Sequence, residues 1–313
     1  MNLQQLRYIH EVARRGLNVS EASAGLHTSQ PGVSRQIRLL EEELGFRIFE
    51  RSGKRLTGVT EPGQAALDVT ARVLEELKNL KRVGENYASE TNGTLNIATT
   101  HTQARYALPA VVKRFIALYP AVRLRLHQGS PEQVAEWVLH GDADLGIATE
   151  ALDPRPGLIT LPCYQWSHAI IAPLGHPLLA ANGLTLAGLA RYPLITYDPS
   201  FTGRSRIDRA FEQASIEANI VLTAIDADVI KTYVKLGLGL GIIAEMAFDA
   251  ERDADLAALP TQGLFASSTT RLAFRRDAYL RKFDYTFIEL FASQLTPKIV
   301  RAAIAGGGSD PVL

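Results

Sequence analysis

Two groups of residues in this sequence could do chemistry by their type and spacing. The first is Thr28, Ser29, Gln30, Pro31, Ser34, Arg35 and Arg38, followed by Arg51, Lys54 and Arg55. Between Ser29 and Thr60 the basic residues Arg35, Arg38, Arg47, Arg51, Lys54 and Arg55 stand against Glu41, Glu42, Glu43 and Glu50. The acids fall mainly in one block, so the cations can share a face. On a helix, Gln30, Ser34, Arg35 and Arg38 can meet base edges in a major groove, and Arg51, Lys54 and Arg55 can meet backbone phosphates. The second group is Thr99-Thr100-His101-Thr102-Gln103, which follows a strand-like run and opens a helical one. Thr100, Thr102 and Gln103 supply neutral donors there, beside the exposed amides of a helix start, a combination suited to sulfate or a carboxylate without lysine or arginine. Gln128 and Thr149 end later strand-like runs and occupy the same edge of an α/β sheet. A simple helix cap is the alternative reading of the threonines.

The first group needs a scaffold of short helices. Leu3, Leu6, Tyr8, Ile9, Val12 and Ala13 recur at helical spacing and Gly16 ends that segment. Asn18 or Ser20 caps a second helix running to about Leu26, and Ser29 caps a third with Pro31 in its first turn. Val33, Ile37, Leu40 and Leu44 give the third helix its core stripe and leave the polar set outward. This is a helix-turn-helix, although an ordinary helical hairpin fits the same pattern. Phe46 to Gly63 alternates around Ser52-Gly53-Lys54 as a small hairpin with a basic tip, a wing. Pro62 then opens a long helix in which Ala66, Val73, Leu77, Leu80 and Tyr87 repeat at 3-4 spacing. Such a stripe suits a two-chain seam, or a helix lying on its own domain.

The second group needs alternating strands and helices. Strand-like runs occur at 94–99, 122–127, 143–148, 168–172, 194–197, 220–224 and 240–244, with helical patterns at 103–118, 131–140, 203–214 and 227–236. That alternation predicts parallel sheets covered by helices, in two lobes. Trp166 falls where the chain is expected to cross between lobes, as a wall or an indole donor, with burial for packing as the alternative. Phe201-Thr202-Gly203-Arg204 reads as a helix start in the second lobe. Gly237 to Gly241 lies between a helix and a strand, so it reads as a helix end and not a phosphate loop. The tail from Ala305 has no pattern and is expected to be disordered.

The bulk numbers exclude several classes. At 313 residues, 46% hydrophobic and 21% charged, the chain is an ordinary folded protein of two or three domains. Its 33 basic and 33 acidic residues balance, so any nucleic-acid face must come from local asymmetry. One cysteine, Cys163, allows no intrachain disulfide and fits a reducing compartment. No signal-peptide pattern and no run of ~18 apolar residues is present, so a cytoplasmic protein without a membrane partner is expected. Seven histidines show no metal spacing, no cofactor is implied, and no catalytic constellation emerges.

The segment SQPGVSRQIRLLEEELGFRIFER resembles the DNA-binding head of LysR-type transcriptional regulators, and the resemblance continues along the whole chain. TTHTQARYALP, HQGSPEQ, ADLGIATEAL, LPCYQW, FTGRS and DADVIKTYVKLGLGLGII are similar to the CysB/Cbl group, regulators of cysteine biosynthesis, sulfur assimilation and sulfonate use. This resemblance implies a winged helix-turn-helix over 1–60 and a linker and dimerisation helix over 61–91. It implies a periplasmic-binding-protein-like effector domain with lobe I at 92–165 and 268–295, lobe II at 166–267, and an extension at 296–313. The implied partners are double-stranded promoter DNA, RNA polymerase and further copies of the chain as homodimer or homotetramer. Acetylserine is the implied inducer, with sulfate or thiosulfate as competing anions, and Thr202 takes the role of an anion-site threonine. A regulator of another anionic metabolite is the coarser alternative, and no enzyme is implied.

Overall fold

The computed structural model describes every residue except 54, 89–91, 150–151, 153–154, 181–182, 202, 262 and 307–313, and leaves the side chains of 85–88 undescribed. Two compact units are present, Met1–Gly84 and Glu85–Leu313. No described helix is long and apolar enough to cross a membrane.

The first unit begins with α1 (Leu3–Arg14), whose start is closed by a reciprocal Asn2–Gln5 capping box. In α2 (Val19–Gly25), Asn18 accepts from the Ser20 and Glu21 amides. In α3 (Gln30–Leu44), Ser29 accepts from the Gly32 amide, Pro31 sits in the first turn, and Gly45 ends the helix at φ +77°. Glycine suits that left-handed position because it has no Cβ to clash. Ile9, Val12, Ala22, Val33, Ile37 and Leu40 are fully or almost fully buried in one cluster, with Ile48, Phe49, Leu56 and Leu67. Each large apolar side chain so buried contributes about 1.5–3 kcal/mol of transfer free energy. The wing is β1 (Phe49–Ser52) paired antiparallel with β2 (Arg55–Val59), with a register shift between Glu50 and Arg51. Then α4 (Glu61–Ala88) starts where Thr60 Oγ1 accepts from the Gly63 amide at 3.0 Å. A Cβ on Gly63 would lie 2.1 Å from the Ile48 carbonyl oxygen, so only glycine lets the helix start this close to the wing.

The apolar positions of α4 divide between two faces. Leu67 is buried and Leu74 half-buried, both in the cluster of the head. Val69, Val73 and Leu80 are exposed. Of the expected seam, Ala66 and Leu77 are half-buried, Val73 and Leu80 point outward, and the side chain of Tyr87 lies outside the described residues.

The second unit holds two five-stranded sheets. The first comprises β3 (Gly93–Thr99), β4 (Val122–Gln128), β5 (Leu145–Thr149), β6 (Leu158–Trp166) and β12 (Ser268–Arg275), in the order β4-β3-β5-β12-β6. The second comprises β7 (His168–Pro173), β8 (Leu194–Tyr197), β9 (Ile220–Ala224), β10 (Leu240–Ala244) and β11 (Leu256–Pro260), in the order β11-β7-β10-β8-β9. The helices are α5 (Leu108–Leu118), α6 (Pro131–Leu139), a single turn α7 (Leu186–Leu189), α8 (Arg204–Gln213), α9 (Ala227–Lys235), α10 (Lys282–Phe291) and α11 (Pro297–Ile304). We call the sheets and their helices lobe I and lobe II. The chain crosses between them twice, from β6 into β7 and from β11 into β12.

The expectation of purely parallel sheets needs correction. β12 runs antiparallel to both β5 and β6, and β7 antiparallel to both β10 and β11. A chain that leaves one sheet and returns must reverse direction, and β6 and β12 are that departure and return. These strands escaped the sequence reading because β6 is buried on both faces, with no alternation to see. Pro162 disguises it further, and the ladder absorbs the proline at a register shift that skips Cys163 opposite Thr270 and Arg271. The segment 296–304 is not a separate extension: Val300 of α11 is buried in the lobe I core. The expected disorder from 307 onward lies outside the described residues.

A buried ionic cluster ties the last helices to lobe I. The Arg281 guanidinium meets Asp284 at 3.0 Å and Asp144 at 3.5 Å, and stacks 4.3 Å from the Phe283 ring. Asp144 also accepts from the Asn96 amide at 2.8 Å. Asp284 is 1% exposed and Arg281 4%. Removing one member of such a group leaves a charge in the interior without its match, at a cost of about 3–5 kcal/mol. Asp284→Ala should therefore destabilise the second unit by that order. Tryptophan fluorescence in urea reads this unit alone, because Trp137 and Trp166 are the only tryptophans. A midpoint within about 0.5 kcal/mol of the parent would show that the cluster is dispensable.

Candidate nucleic-acid interface and ligand cleft

On the head, α3 exposes Gln30, Pro31, Arg35 and Arg38, with Ser34 half-buried at its flank. Thr28 is half-buried and Ser29 exposed ahead of the helix. Arg55 is exposed on β2, and Lys54 lies outside the described residues. A groove of about 850 Å³ runs between the start of α2, Gln30 and the wing, lined among others by Asn18, Ser20, Ser52, Arg55 and Thr57. It brings Gln30 and Arg55 to one surface.

Arg51 differs from the other cations. Its guanidinium meets Glu41 Oε2 at 3.2 Å, and Glu41 is buried. Glu41 Oε1 accepts from the Ile48 amide at 2.9 Å and the Phe49 amide at 3.2 Å. One carboxylate on α3 thus anchors the first strand of the wing, and Arg51 completes its coordination. In the sequence Glu41 read only as part of an acidic block.

In the second unit, strand register collects the expected cleft residues at one edge. Thr99 ends β3 opposite Gln128 on β4, and its carbonyl accepts from the Gly129 amide at 3.1 Å. Thr149 ends β5 opposite Thr270 on β12. Thr100, Thr102, Gln103 and Thr149 are all at most 2% exposed. After Thr102 the chain winds as a π-helical turn, Gln103–Ala107, before α5. Such turns are rare in helices and recur at functional sites. Thr102 makes no side-chain cap bond; its hydroxyl is hydrogen-bonded instead to Tyr197 of lobe II. Burial first, and then the carboxylates nearby, keep the Tyr197 phenol protonated, raised well above its ordinary value.

Gln103 is framework as well as donor. Its Nε2 donates to Thr270 Oγ1 at 3.1 Å and its Oε1 accepts from Tyr164. Burial pushes the Tyr164 phenol up to about 12, so it remains a donor. His101 Nδ1 lies 3.1 Å from Gln128 Oε1 and orients that amide.

The crossing between lobes closes the site from the other side. Trp166 is 7% exposed, and its buried Nε1 has no hydrogen-bond partner among the described residues. Its ring stands 5.1 Å from that of His168. A Cβ on Gly203, the left-handed residue before α8, would lie 2.9 Å from the His168 ring and 3.0 Å from Ser268 Oγ. The start of α8 therefore abuts the crossing, while Thr202 itself is outside the described residues. Tyr164, Thr270, Tyr197, Ser268 and His168 were not singled out from the sequence, because each reaches the edge through pairing between distant strands.

His101, Asp226 and Asp228 bring ligand-type atoms within 4.8 Å of one another, a grouping that joins both lobes and leaves no spacing signal in the sequence. Asp226 already caps α9. Asp228 accepts from Tyr106 at 2.8 Å and Arg105 at 3.1 Å, and pairs with Lys231 at 3.1 Å. Burial opposes its charge, but the hydrogen bonds from Tyr106 and Lys231 and the lysine's charge hold its carboxyl below the usual range. A carboxylate with two cations and a phenol on it is a poor metal ligand. Cys163 is buried and its thiol is pushed up to about 12 by desolvation, so it is unreactive.

Residues 3–64 match the model described as bacterial regulatory helix-turn-helix protein, lysR family, and residues 88–296 match the LysR substrate binding domain. The chain belongs to the LysR family of transcriptional regulators. This LysR-type regulator is not an enzyme. It is 54% identical over 306 residues to the HTH-type transcriptional regulator SsuR of Burkholderia cenocepacia, covering 98% of both chains. It is 51% identical to CysB of the same organism, again with 98% of both covered, and 45% identical to cbl of Escherichia coli over 100% of this chain and 99% of that one. Among solved structures, the cofactor-binding domain of the Cbl regulator aligns with TM-score 0.66 and 45% identity, over 68% of this chain and 94% of that one. Full-length OxyR of Pseudomonas aeruginosa aligns with TM-score 0.69 over 95% and 98%, at 20% identity, a likeness of fold.

The anchoring of the wing has a measurable consequence. Glu41→Ala leaves the Ile48 and Phe49 amides without their acceptor, at about 1–3 kcal/mol for buried groups. Their hydrogen exchange should accelerate by roughly tenfold or more, whereas unchanged protection would mean that the carboxylate does not hold the wing.

Proposed function

We propose that this LysR-type regulator reads promoter DNA through Gln30, Ser34, Arg35 and Arg38 on α3 and controls sulfur-assimilation and cysteine-biosynthesis genes. A small anion held between its lobes sets the response, with acetylserine as inducer and sulfate or thiosulfate as competitors. Thr28, Ser29 and Pro31 at the start of α3, with Lys54 and Arg55 of the wing segment, supply backbone contacts, while Arg51 is engaged by Glu41. Copies associate as dimers and tetramers, for which the exposed Val69, Val73 and Leu80 on α4 offer an apolar stripe. RNA polymerase is the partner in activation, and the cytoplasm is the compartment.

The observation that carries the anion reading is Trp166. A buried N–H without an acceptor is costly in a folded protein, which supports a ligand atom as its partner here. It stands at the crossing beside the start of α8, in the unit whose neighbouring edge carries Thr100, Thr102, Gln103, Gln128 and Thr149. These donors are neutral, which suits an anion that must enter and leave. The Cbl-like reading, a regulator of sulfonate use, is supported by 45% identity to cbl and by the likeness to the Cbl cofactor-binding domain.

Calorimetry on the full chain tests the cleft. A hydrogen bond to a charged group is worth about 1.5–3 kcal/mol, so Thr102→Ala and Trp166→Phe should each weaken sulfate or acetylserine binding by roughly tenfold or more. Equal affinity in parent and both variants would remove these residues from the site. For the DNA face, Arg55→Ala should weaken all sequences alike and lower the salt slope by about 0.9, one phosphate contact. Arg35→Ala should instead change base preference. The opposite pattern would reverse the assignment of wing and helix.

A further inference from the structure

The two lobes are joined covalently at adjacent strands, β6 and β12, on one side of the lobe I sheet. Two neighbouring crossings define an axis and leave one rotation about it free. A third contact off that axis would fix the opening angle, and the π-helical turn after β3 makes one. β3 is separated from β12 by β5. From this turn Tyr106 reaches across to donate to Asp228 Oδ1 at 2.8 Å, and Arg105 donates to Asp228 Oδ2 at 3.1 Å. The Tyr106 ring packs against the lobe II cluster that contains Tyr197, Ile230, Val234 and Ala247. Lys231, 7% exposed, lies 5.5 Å from the centre of that ring and 3.1 Å from Asp228. Lys231 is itself held by Asp253 and by the Ala247 carbonyl, each at 3.0 Å. The clasp therefore closes on a socket that lobe II builds by itself.

We propose that Tyr106 and Arg105 of lobe I with Asp228 of lobe II form a clasp that sets the cleft angle and thereby positions the Thr100 and Thr102 donors for the anion. Tyr106 and Asp228 are positioning residues, without contact to the ligand, and the idea rests on the reading that the cleft binds an anion. The same short segment carries donors and clasp: Thr100 and Thr102 precede the π-helical turn, and Arg105 and Tyr106 lie in it. Opening the clasp withdraws Thr102 from Tyr197 in the same motion. Apparent affinity scales with the closed fraction, so a clasp variant that is closed in about one molecule in three to one in ten binds three- to tenfold more weakly.

The test uses the full chain with Tyr106→Phe, which keeps the ring and removes one hydroxyl, and Asp228→Asn, which keeps the shape and removes the charge. Lys231 retains Asp253 in the second variant, so its burial stays compensated. Spin labels at the exposed positions Lys113 of lobe I and Arg209 of lobe II, in a Cys163→Ser background, report the distance between lobes. Both variants should show a longer or broader distance distribution without anion, return to the parental one with saturating sulfate, and bind sulfate three- to tenfold more weakly by calorimetry. If the parent binds sulfate and the variants match it in affinity and distance, the clasp is wrong. If the parent binds neither sulfate nor acetylserine, the cleft reading fails separately, and the distances alone then judge the clasp: broadened in the variants supports it, unchanged overturns it.

Discussion

The double crossing between lobes is the constraint on which the second unit depends. Because the chain leaves lobe I through β6 and re-enters through β12, the returning strand must run against both β6 and β5, and the cleft-side ends of β6 and β12 meet at Trp166 and Ser268. That places an indole, a histidine ring and a serine at the junction, where the start of α8 also arrives. The parallel strands of lobe I deliver Thr99, Gln128 and Thr149 to the same sheet edge, as open α/β sheets do. The first crossing is the single residue Ser167, and the second is tied down where Thr261 donates to the His168 carbonyl and Phe265 is buried in lobe II. Relative movement of the lobes is therefore rotation about the junction, and whatever sits far from the axis governs it.

The anion site proposed for the cleft can work with neutral donors alone. A fixed lysine at such a depth would need a partner carboxylate of its own, and an entering anion would then compete with that partner. Threonine hydroxyls, a carboxamide and an indole N–H carry no such requirement. Gln103 shows the cost of the arrangement: its amide must be oriented by Tyr164 and Thr270 before it is useful, and both of those come from strands far along the chain. The head solves a similar problem with Glu41, which spends one oxygen on two wing amides and the other on Arg51.

The sequence was legible where local rules act. Ser29 and Pro31 mark the start of α3, and the choice of Asn18 or Ser20 that of α2, where the structure uses Asn18, through caps that involve only a few neighbouring residues. Thr100, Thr102, Gln103 and Thr149 were legible as a group because each follows a visible strand. What was not legible depends on pairing across long sequence separations. β6 and β12 show no alternation, since both faces are covered, and α11 looked like the beginning of a tail although Val300 completes the lobe I core. Arg51 was read with the other wing cations, because nothing in local sequence shows that Glu41 stands against it. Tyr106 and Asp228 each looked like an ordinary residue on a helix, and only the meeting of two lobes gives them a joint role.

An inter-lobe clasp useful for signalling has to be weak. A cleft locked shut would exclude its ligand, and one held open by default would lose most of the ligand's binding free energy to closure. The groups at hand suit an intermediate strength. Arg105 and Asp228 form a pair in which both side chains are substantially exposed, at 50% and 42%, so solvent screens most of its worth. The Tyr106 hydroxyl reaches the same half-exposed carboxylate, and about 1 kcal/mol remains once screening is allowed for. Its loss tips the balance toward the open form by severalfold, a shift within reach of a small anion that bridges both lobes. A ligand shifts such an equilibrium by its differential affinity for the closed form, whatever its total affinity. On the function proposed above, an anion's contacts across the cleft, at Trp166 and at the start of α8, are the ones that carry information, while contacts confined to lobe I only hold it in place.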